Sequence, residues 1–386
     1  MHTPCLVSKG YCCFWSLNKI QWGIVSTGSS SRRQETVYDS NRLIRWCDDG
    51  MKMVEKAVSE YGFFPYYIEQ ISSRLFRVND GRRDYALKQS SLTEETIYLW
   101  ENVYHQAHTL QLTNILPVYL TGDARLYAWI DGEYYYMTPW MRSHSSNNRQ
   151  EIKDVFHTIG EIHAKTKQTQ NIDAASVEKS FRDYQSRCRE WQDLLLDFVK
   201  RFEQNRFMSP FELQVCTHYH ILVNVLMELE AQIERFMDAW EESSTWNYCL
   251  CHGNLQSEHI IYHDLPYIIN WEKARYDNPV IDLAIYLKTQ VRYYDQSPAE
   301  LAELFPAYSH RNSLDEKEWH LLLIYLLNPA HYIRLVEMYT SAQSGQSIIT
   351  QQKMLQHVFR QLQLGLDWTH RLKSDLAPDF KVSEES

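Results

Sequence analysis

Apolar positions recur along this chain with two different periods, and the change of period divides it. MKMVEKAVSEYGF (51–63) reads as an amphipathic helix. From residue 66 to 89 the pattern becomes that of strands. Leu75-Phe76-Arg77-Val78 and Tyr85-Ala86-Leu87-Lys88 flank Asn79-Asp80-Gly81, which supplies the backbone freedom of a tight hairpin. The stretch 93–110 returns to a helical stripe, with apolar residues at 97, 100, 103, 104 and 107. Thr93 or Ser91 is expected to cap it, with acids in the first turn. Two more strands are expected at 125–130 and 133–137, hinged on Asp131-Gly132, with Pro139 ending the sheet.

Beyond about residue 145 the helical period dominates. EIKDVFHTIGEIHAKT (151–166) sets Ile152, Val155, Phe156, Ile159, Ile162 and His163 on one broad face. Helices also fit 175–206, 211–242, 296–306, 315–340 and 347–373, interrupted by a strand pair around 260–271. The fold class expected is α+β: a small N-terminal antiparallel sheet lobe with one helix, then a larger, mainly helical C-terminal lobe. The division expected is 51–140 and 141–386. Residues 1–50 share neither pattern, mixing Cys, Trp and a Ser-rich run. They are expected to be an ill-ordered extension or an upstream mis-start of translation.

Composition narrows the function. A net charge of −10 without a basic run argues against nucleic acid as a partner. Only 12 glycines in 386 residues argue against glycine-rich phosphate loops. No apolar run approaches 18 residues, so no spanning helix is expected. The apolar patch at 11–15 is shorter than a secretory core, so synthesis in the cytoplasm is expected. The eight cysteines form no CxxC pair. Cys249 and Cys251 share a face of a strand; they are read either as a soft-metal pair or, more simply, as buried free thiols of a reducing compartment.

The richest stretch for chemistry is CHGNLQSEHIIYHDLPYIINWEKA (251–274), read as a polar loop, a strand, a turn and a second strand ending at Asn270. His252-Gly253-Asn254-Leu255, His259-Ile260, Ile269-Asn270-Trp271-Glu272 and Asp282-Leu283-Ala284 follow one another in order. Their spacing resembles HGDLxxxNI, ID[WF][DE] and DLA of the protein-kinase-like superfamily, in the branch of aminoglycoside phosphotransferases and choline kinases. Within that branch the chain is most similar to bacterial spore-coat proteins of the CotS/YsxE type. The resemblance covers roughly residues 60–370 and makes 251–284 a catalytic-loop-like segment.

The resemblance implies roles. Lys88 matches the lysine that binds ATP phosphates, with Glu94 or Glu101 as its carboxylate partner. Residues 134–139, including Met137, match the segment that meets adenine. Ser72 and Ser73 stand where a glycine-rich loop would cover phosphates. His252, Gly253 and Asp282 match the scaffold of the loop. Asn254 occupies the position of the catalytic base, Asn270 the main metal position, and His259 the auxiliary one.

Those last three substitutions share a sense. An amide is not basic at neutral pH, and a positioned base contributes about 10²–10⁴-fold. Magnesium wants anionic oxygen, whereas imidazole suits softer metals. Each missing charge is worth at most roughly 4 kcal/mol at 4 Å and an effective dielectric of 20. Glu272 remains as a metal ligand in reserve, and Glu258 as a substitute base.

The expected function is therefore that of a catalytically impaired, kinase-like protein. By resemblance it acts in the spore coat or its assembly, made in the mother-cell cytoplasm and bound to other coat proteins, with a small-molecule ligand for the old cleft left open. No cofactor is required on this reading; ATP would bind weakly at most, and magnesium is not expected. The alternatives are an ATP-dependent small-molecule phosphotransferase with atypical metal ligands, and a nucleotide or metabolite sensor without turnover.

Overall fold

The computed structural model describes residues 48–143, 148–293, 297–341, 343 and 345–376. The expectation for residues 1–50 thus lies, up to residue 47, outside the described residues. The chain forms two compact units. Among the described residues, one holds 48–101 together with 116–140; the other holds 102–115 and those from 141 to 376.

The first unit is a sheet with a helix against it. Helix α1 is Asp48–Ser59, three residues longer at its start than the sequence period suggests. Strands β1 (Tyr67–Ser72), β2 (Leu75–Asn79) and β3 (Asp84–Ser90) form an antiparallel meander. Helix α2 (Ile97–Thr109) follows, its residues from 102 onward belonging to the second unit, and then come β4 (Ala128–Ile130) and β5 (Glu133–Pro139) of the first. The sheet order is β1-β2-β3-β5-β4. Val54, Ala57 and Val58 of α1 join Phe76, Val78, Leu87, Ala128, Tyr135 and Met137 in its core. The helix stripe and the inward face of the strands bury one another, which is why neither is stable alone.

Both predicted hairpins form. Asn79 Oδ1 accepts the Gly81 N–H at 2.7 Å, and Asp80 Oδ1 accepts those of Arg82 and Arg83 at 2.7 Å. At the second, Asp131 and Gly132 take φ of 50° and 91°, the paired left-handed geometry of a two-residue turn. β4 is shorter than expected. Helix α2 starts at Ile97, because residues 93–96 close into a turn in which the Thr93 carbonyl accepts the Ile97 N–H. Glu94 therefore precedes the helix, and does not share a helical face with Glu101.

The second unit is mainly helical. It contains α3 (Asn148–Thr166), β6 (Gln168–Asn171), the long α4 (Ala174–Glu203) and α5 (Pro210–Glu242). Ser209 and Glu212 form a reciprocal capping box that, with Pro210, sets the start of α5. Then come β7 (Thr245–Cys251), β8 (Ile260–Tyr262), β9 (Pro266–Ile268) and β10 (Arg275–Asp277). The remaining helices are α6 (Val280–Tyr293), α7 (Pro298–Leu304), α8 (Pro306–Ser309), α9 (Glu316–Leu327), α10 (Ala330–Thr340) and α11 (Ile348–Leu376).

The helix expected over 315–340 is broken. Asn328 is extended, with φ −63° and ψ 112°, because the Pro329 ring disfavours helical geometry in the residue before it. Two strands of this unit carry no sequence signal. β6 and β10 flank β7 in a three-stranded antiparallel sheet, and QTQN has no apolar period to betray it.

Candidate functional site

β7 delivers the chain into the catalytic-loop-like segment. Its last residue, Cys251, is fully buried, and so is His252. Gly253 then takes φ +73°, and a Cβ there would stand 2.3 Å from the Lys273 carbonyl oxygen. The close approach of two backbones makes glycine obligatory here.

Asp282, at the start of α6 and fully buried, holds this turn in place. Its Oδ2 accepts the His252 backbone N–H at 2.6 Å, and its Oδ1 accepts that of Gly253 at 2.8 Å. Oδ2 also lies 3.3 Å from Nε2 of His163 on α3. Burial alone would raise the Asp282 pKa, but the hydrogen bond and charge of His163 and the proximity of His252 bring it below the usual carboxylate value. Burial likewise opposes a charge on His163, yet its bonds to Asp282 and Cys251 win and push its pKa up to about 9. The pair is an imidazolium–carboxylate ion pair, with Tyr308 Oη 3.0 Å from His163 Nδ1. The sequence period places His163 on the apolar face of its helix and carries no sign of its role in the loop.

The ring of His252 is oriented by backbone. Nε2 donates to the Ile269 carbonyl at 2.8 Å, and Nδ1 accepts the Asn254 N–H at 3.2 Å. Asn254 is half-buried, and its Oδ1 accepts a hydrogen bond from Gln256 Nε2 at 2.8 Å. His259 lies in a 3₁₀ turn and donates from Nδ1 to the Asn254 carbonyl at 2.8 Å, which assigns the acceptor lone pair to Nε2.

Asn270 does not end a strand. β9 stops at Ile268, and Asn270 adopts the left-handed conformation, φ 65° and ψ 52°, opening a 3₁₀ turn over Trp271–Lys273. Asn is among the few side chains that enter this region at small cost. Glu272 sits inside that turn, so its relation to Asn270 is not that of two residues on one strand face. It is half-buried; desolvation raises the pKa of the half-buried Tyr104, and the charge of Glu272 adds to the rise. Glu258 is exposed.

His252, Gly253, Asn254, His259, Asn270, Glu272 and Asp282 all belong to the helical unit; Lys88, Glu94, Glu101 and Met137 belong to the sheet unit. Lys88 on β3 has its Nζ 5.6 Å from the centre of the Tyr136 ring. Met137 is fully buried in the sheet core, and its carbonyl accepts the Tyr119 N–H at 2.8 Å, so any ligand contact falls to backbone. Tyr134, Tyr135 and Tyr136 are buried as packing residues. Ser72 ends β1 at a two-residue turn, with its Oγ 3.4 Å from the Arg74 N–H.

The donor set does not fit a magnesium pair. At the matched positions stand two neutral amides and an imidazole; one amide oxygen already accepts from Gln256. Glu272 brings the single negative charge of that set. The geometry can position backbone and offer hydrogen bonds, but Asn254 cannot take up a proton.

The model of a family described as a phosphotransferase enzyme family matches residues 68–321, more than half of the chain. An aminoglycoside phosphotransferase from Alicyclobacillus acidocaldarius subsp. acidocaldarius has a similar structure, with a TM-score of 0.67 at 18% identity over 83% of this chain and 96% of that one. The AMP-bound complex of a spectinomycin phosphotransferase gives 0.51 at 14% identity over 83% and 98%. At these identities the likeness is one of fold, the two-lobed kinase-like fold expected from the sequence. No curated protein matches the sequence.

Proposed function

The chain belongs to the phosphotransferase enzyme family, and we propose that it is a member without transfer chemistry, acting as a binding protein. The observation that carries this reading is the contrast between Asp282 and Asn254. The loop scaffold is fully hydrogen-bonded, while the residue at the base position is an amide bonded to Gln256. Loss of a positioned base removes about 10²–10⁴-fold in rate. Loss of the anionic metal ligand at 270 leaves triphosphate charge uncompensated.

The resemblance to spore-coat proteins of the CotS/YsxE type supports partners among coat proteins, met after synthesis in the mother-cell cytoplasm. Exposed aromatic residues give such contacts a foothold: Phe64 and Tyr66 are 89% and 80% exposed in the sheet unit, and Phe207 is 83% exposed in the helical one. A second reading, nucleotide sensing without turnover, draws support from Lys88, a cation held beside Tyr136.

Thermal unfolding of the full chain with ATP, in magnesium, manganese or neither, tests these readings alongside a γ-phosphate transfer assay. No turnover and no metal-dependent shift is expected. A metal-independent shift selects the sensor, and steady transfer of label to any acceptor overturns the main reading.

A further inference from the structure

Cys249 and Cys251, one strand position removed from the loop, form a second constellation that phosphoryl transfer has no use for. Their side chains lie on one side of β7, fully buried, with Sγ atoms 3.7 Å apart. His163, fully buried on α3, brings a ring nitrogen to them; the three potential ligand atoms all lie within 4.8 Å of one another. Two thiolates on one tetrahedral zinc, with Zn–S bonds of about 2.3 Å, stand about 3.8 Å apart. A disulfide needs about 2.05 Å. The sulfurs are spaced for a shared ion, and a covalent bond would require β7 to distort.

We propose that His163, Cys249 and Cys251 form a binding site for one soft divalent cation of the zinc class. Thiolate and imidazole ligands exclude magnesium and calcium, which prefer oxygen. Charge decides between soft ions. Binding exchanges the two thiol protons and the His163 proton for the ion, and two thiolates then neutralise a divalent cation. A monovalent copper ion would leave a net negative charge beside Asp282 in a site removed from water, which is costly. An oxygen for a fourth position is close: the Asp277 carbonyl lies 3.3 Å from Cys251 Sγ. Because the residues come from α3 and β7, the site is assembled only on folding, and the ion enters as the chain folds. Because protons are released, affinity falls as pH falls.

The test uses the full chain with Cys5, Cys12, Cys13, Cys47 and Cys216 each changed to serine, so that the buried Cys188 is the one thiol left outside the site. Refolding with cobalt(II) is expected to give one bound ion with sulfur-to-metal charge-transfer absorption, displaced by zinc. Adding Cys249→Ser and Cys251→Ser to that chain is expected to weaken binding at least tenfold and abolish the band. X-ray absorption of the zinc-loaded five-serine chain gives a second measurement that needs no change at the site: two sulfurs in the first shell are expected. A band that survives both substitutions, no cobalt bound, or a shell of nitrogen and oxygen alone overturns the proposal.

Discussion

The Asp282 carboxylate accepts the backbone N–H of His252 at 2.6 Å, across 30 residues of sequence. The same carboxylate takes the Gly253 N–H and pairs with the His163 imidazolium, so one buried charge organises the turn and the helix behind it. Asp282→Asn leaves His163 with its proton and no counter-charge. Breaking one member of a buried pair costs about 3–5 kcal/mol, and urea unfolding should show a loss of that order. A loss under about 1 kcal/mol, the worth of an exposed pair, would mean that the clamp is not organising the loop.

The same pair makes stability pH-dependent on the alkaline side. His163 has a folded pKa raised to about 9 from an ordinary 6.5. A raised histidine contributes its full stabilisation below the unfolded pKa, and loses it as pH rises through the folded one. Asp282, lowered by His163, contributes above its unfolded pKa and loses that contribution in acid. In the metal-free chain the melting temperature should therefore decline between about pH 6.5 and 9. His163→Gln should flatten that decline; equal slopes in the two proteins would assign it to other groups.

Two backbone positions make opposite demands. Gly253→Ala combines a positive φ with a Cβ 2.3 Å from the Lys273 oxygen, so the loop must shift. A cost above about 4 kcal/mol or failure to fold is expected, since large losses come from such mechanisms. Asn270→Ala should cost about 1–2 kcal/mol more than Asn270→Gly, the difference being left-handed strain. Equal behaviour of the last two variants in chemical denaturation would dismiss the strain argument.

Restoring charge tests the cleft. Asn254→Asp with Asn270→Asp supplies two carboxylates, and Asp tolerates the left-handed region as Asn does. Magnesium-ATP should then raise the melting temperature where it leaves the parent unchanged. A tenfold gain in affinity corresponds to about 1.4 kcal/mol, and isothermal calorimetry would register it. Titrations indistinguishable from the parent would show that more than charge has been lost.

At the N-terminus of α5, Ser209 Oγ accepts the Glu212 N–H at 3.2 Å, and Glu212 accepts the Ser209 N–H at 2.6 Å. Ser209→Ala should cost about 0.5–2 kcal/mol. Because Ser209 Oγ also meets Tyr339 Oη at 2.8 Å, a measured loss is expected toward the upper end. Loss of nothing measurable would mark this helix start as fixed by packing.

The sequence alone determined what repeats locally. Apolar periods located most of the helices to within a few residues, turn residues located the Asn79-Asp80-Gly81 and Asp131-Gly132 hairpins, and the family resemblance picked out the ordered set His252, Asn254, Asn270 and Asp282. Each is written in residues adjacent along the chain or spaced by one period. What tertiary structure decided is pairing across distance. β6 and β10 are strands only because β7 lies between them, and Glu94 lies outside its helix because residues 93–96 close into a turn ahead of it. Asn270 went left-handed, rather than extended, where the chain turns into Trp271–Lys273. His163 became the partner of Asp282, and neighbour to two thiols, because α3 and β7 meet in one core. Side-chain period records which face is buried; it holds no record of what that face is buried against.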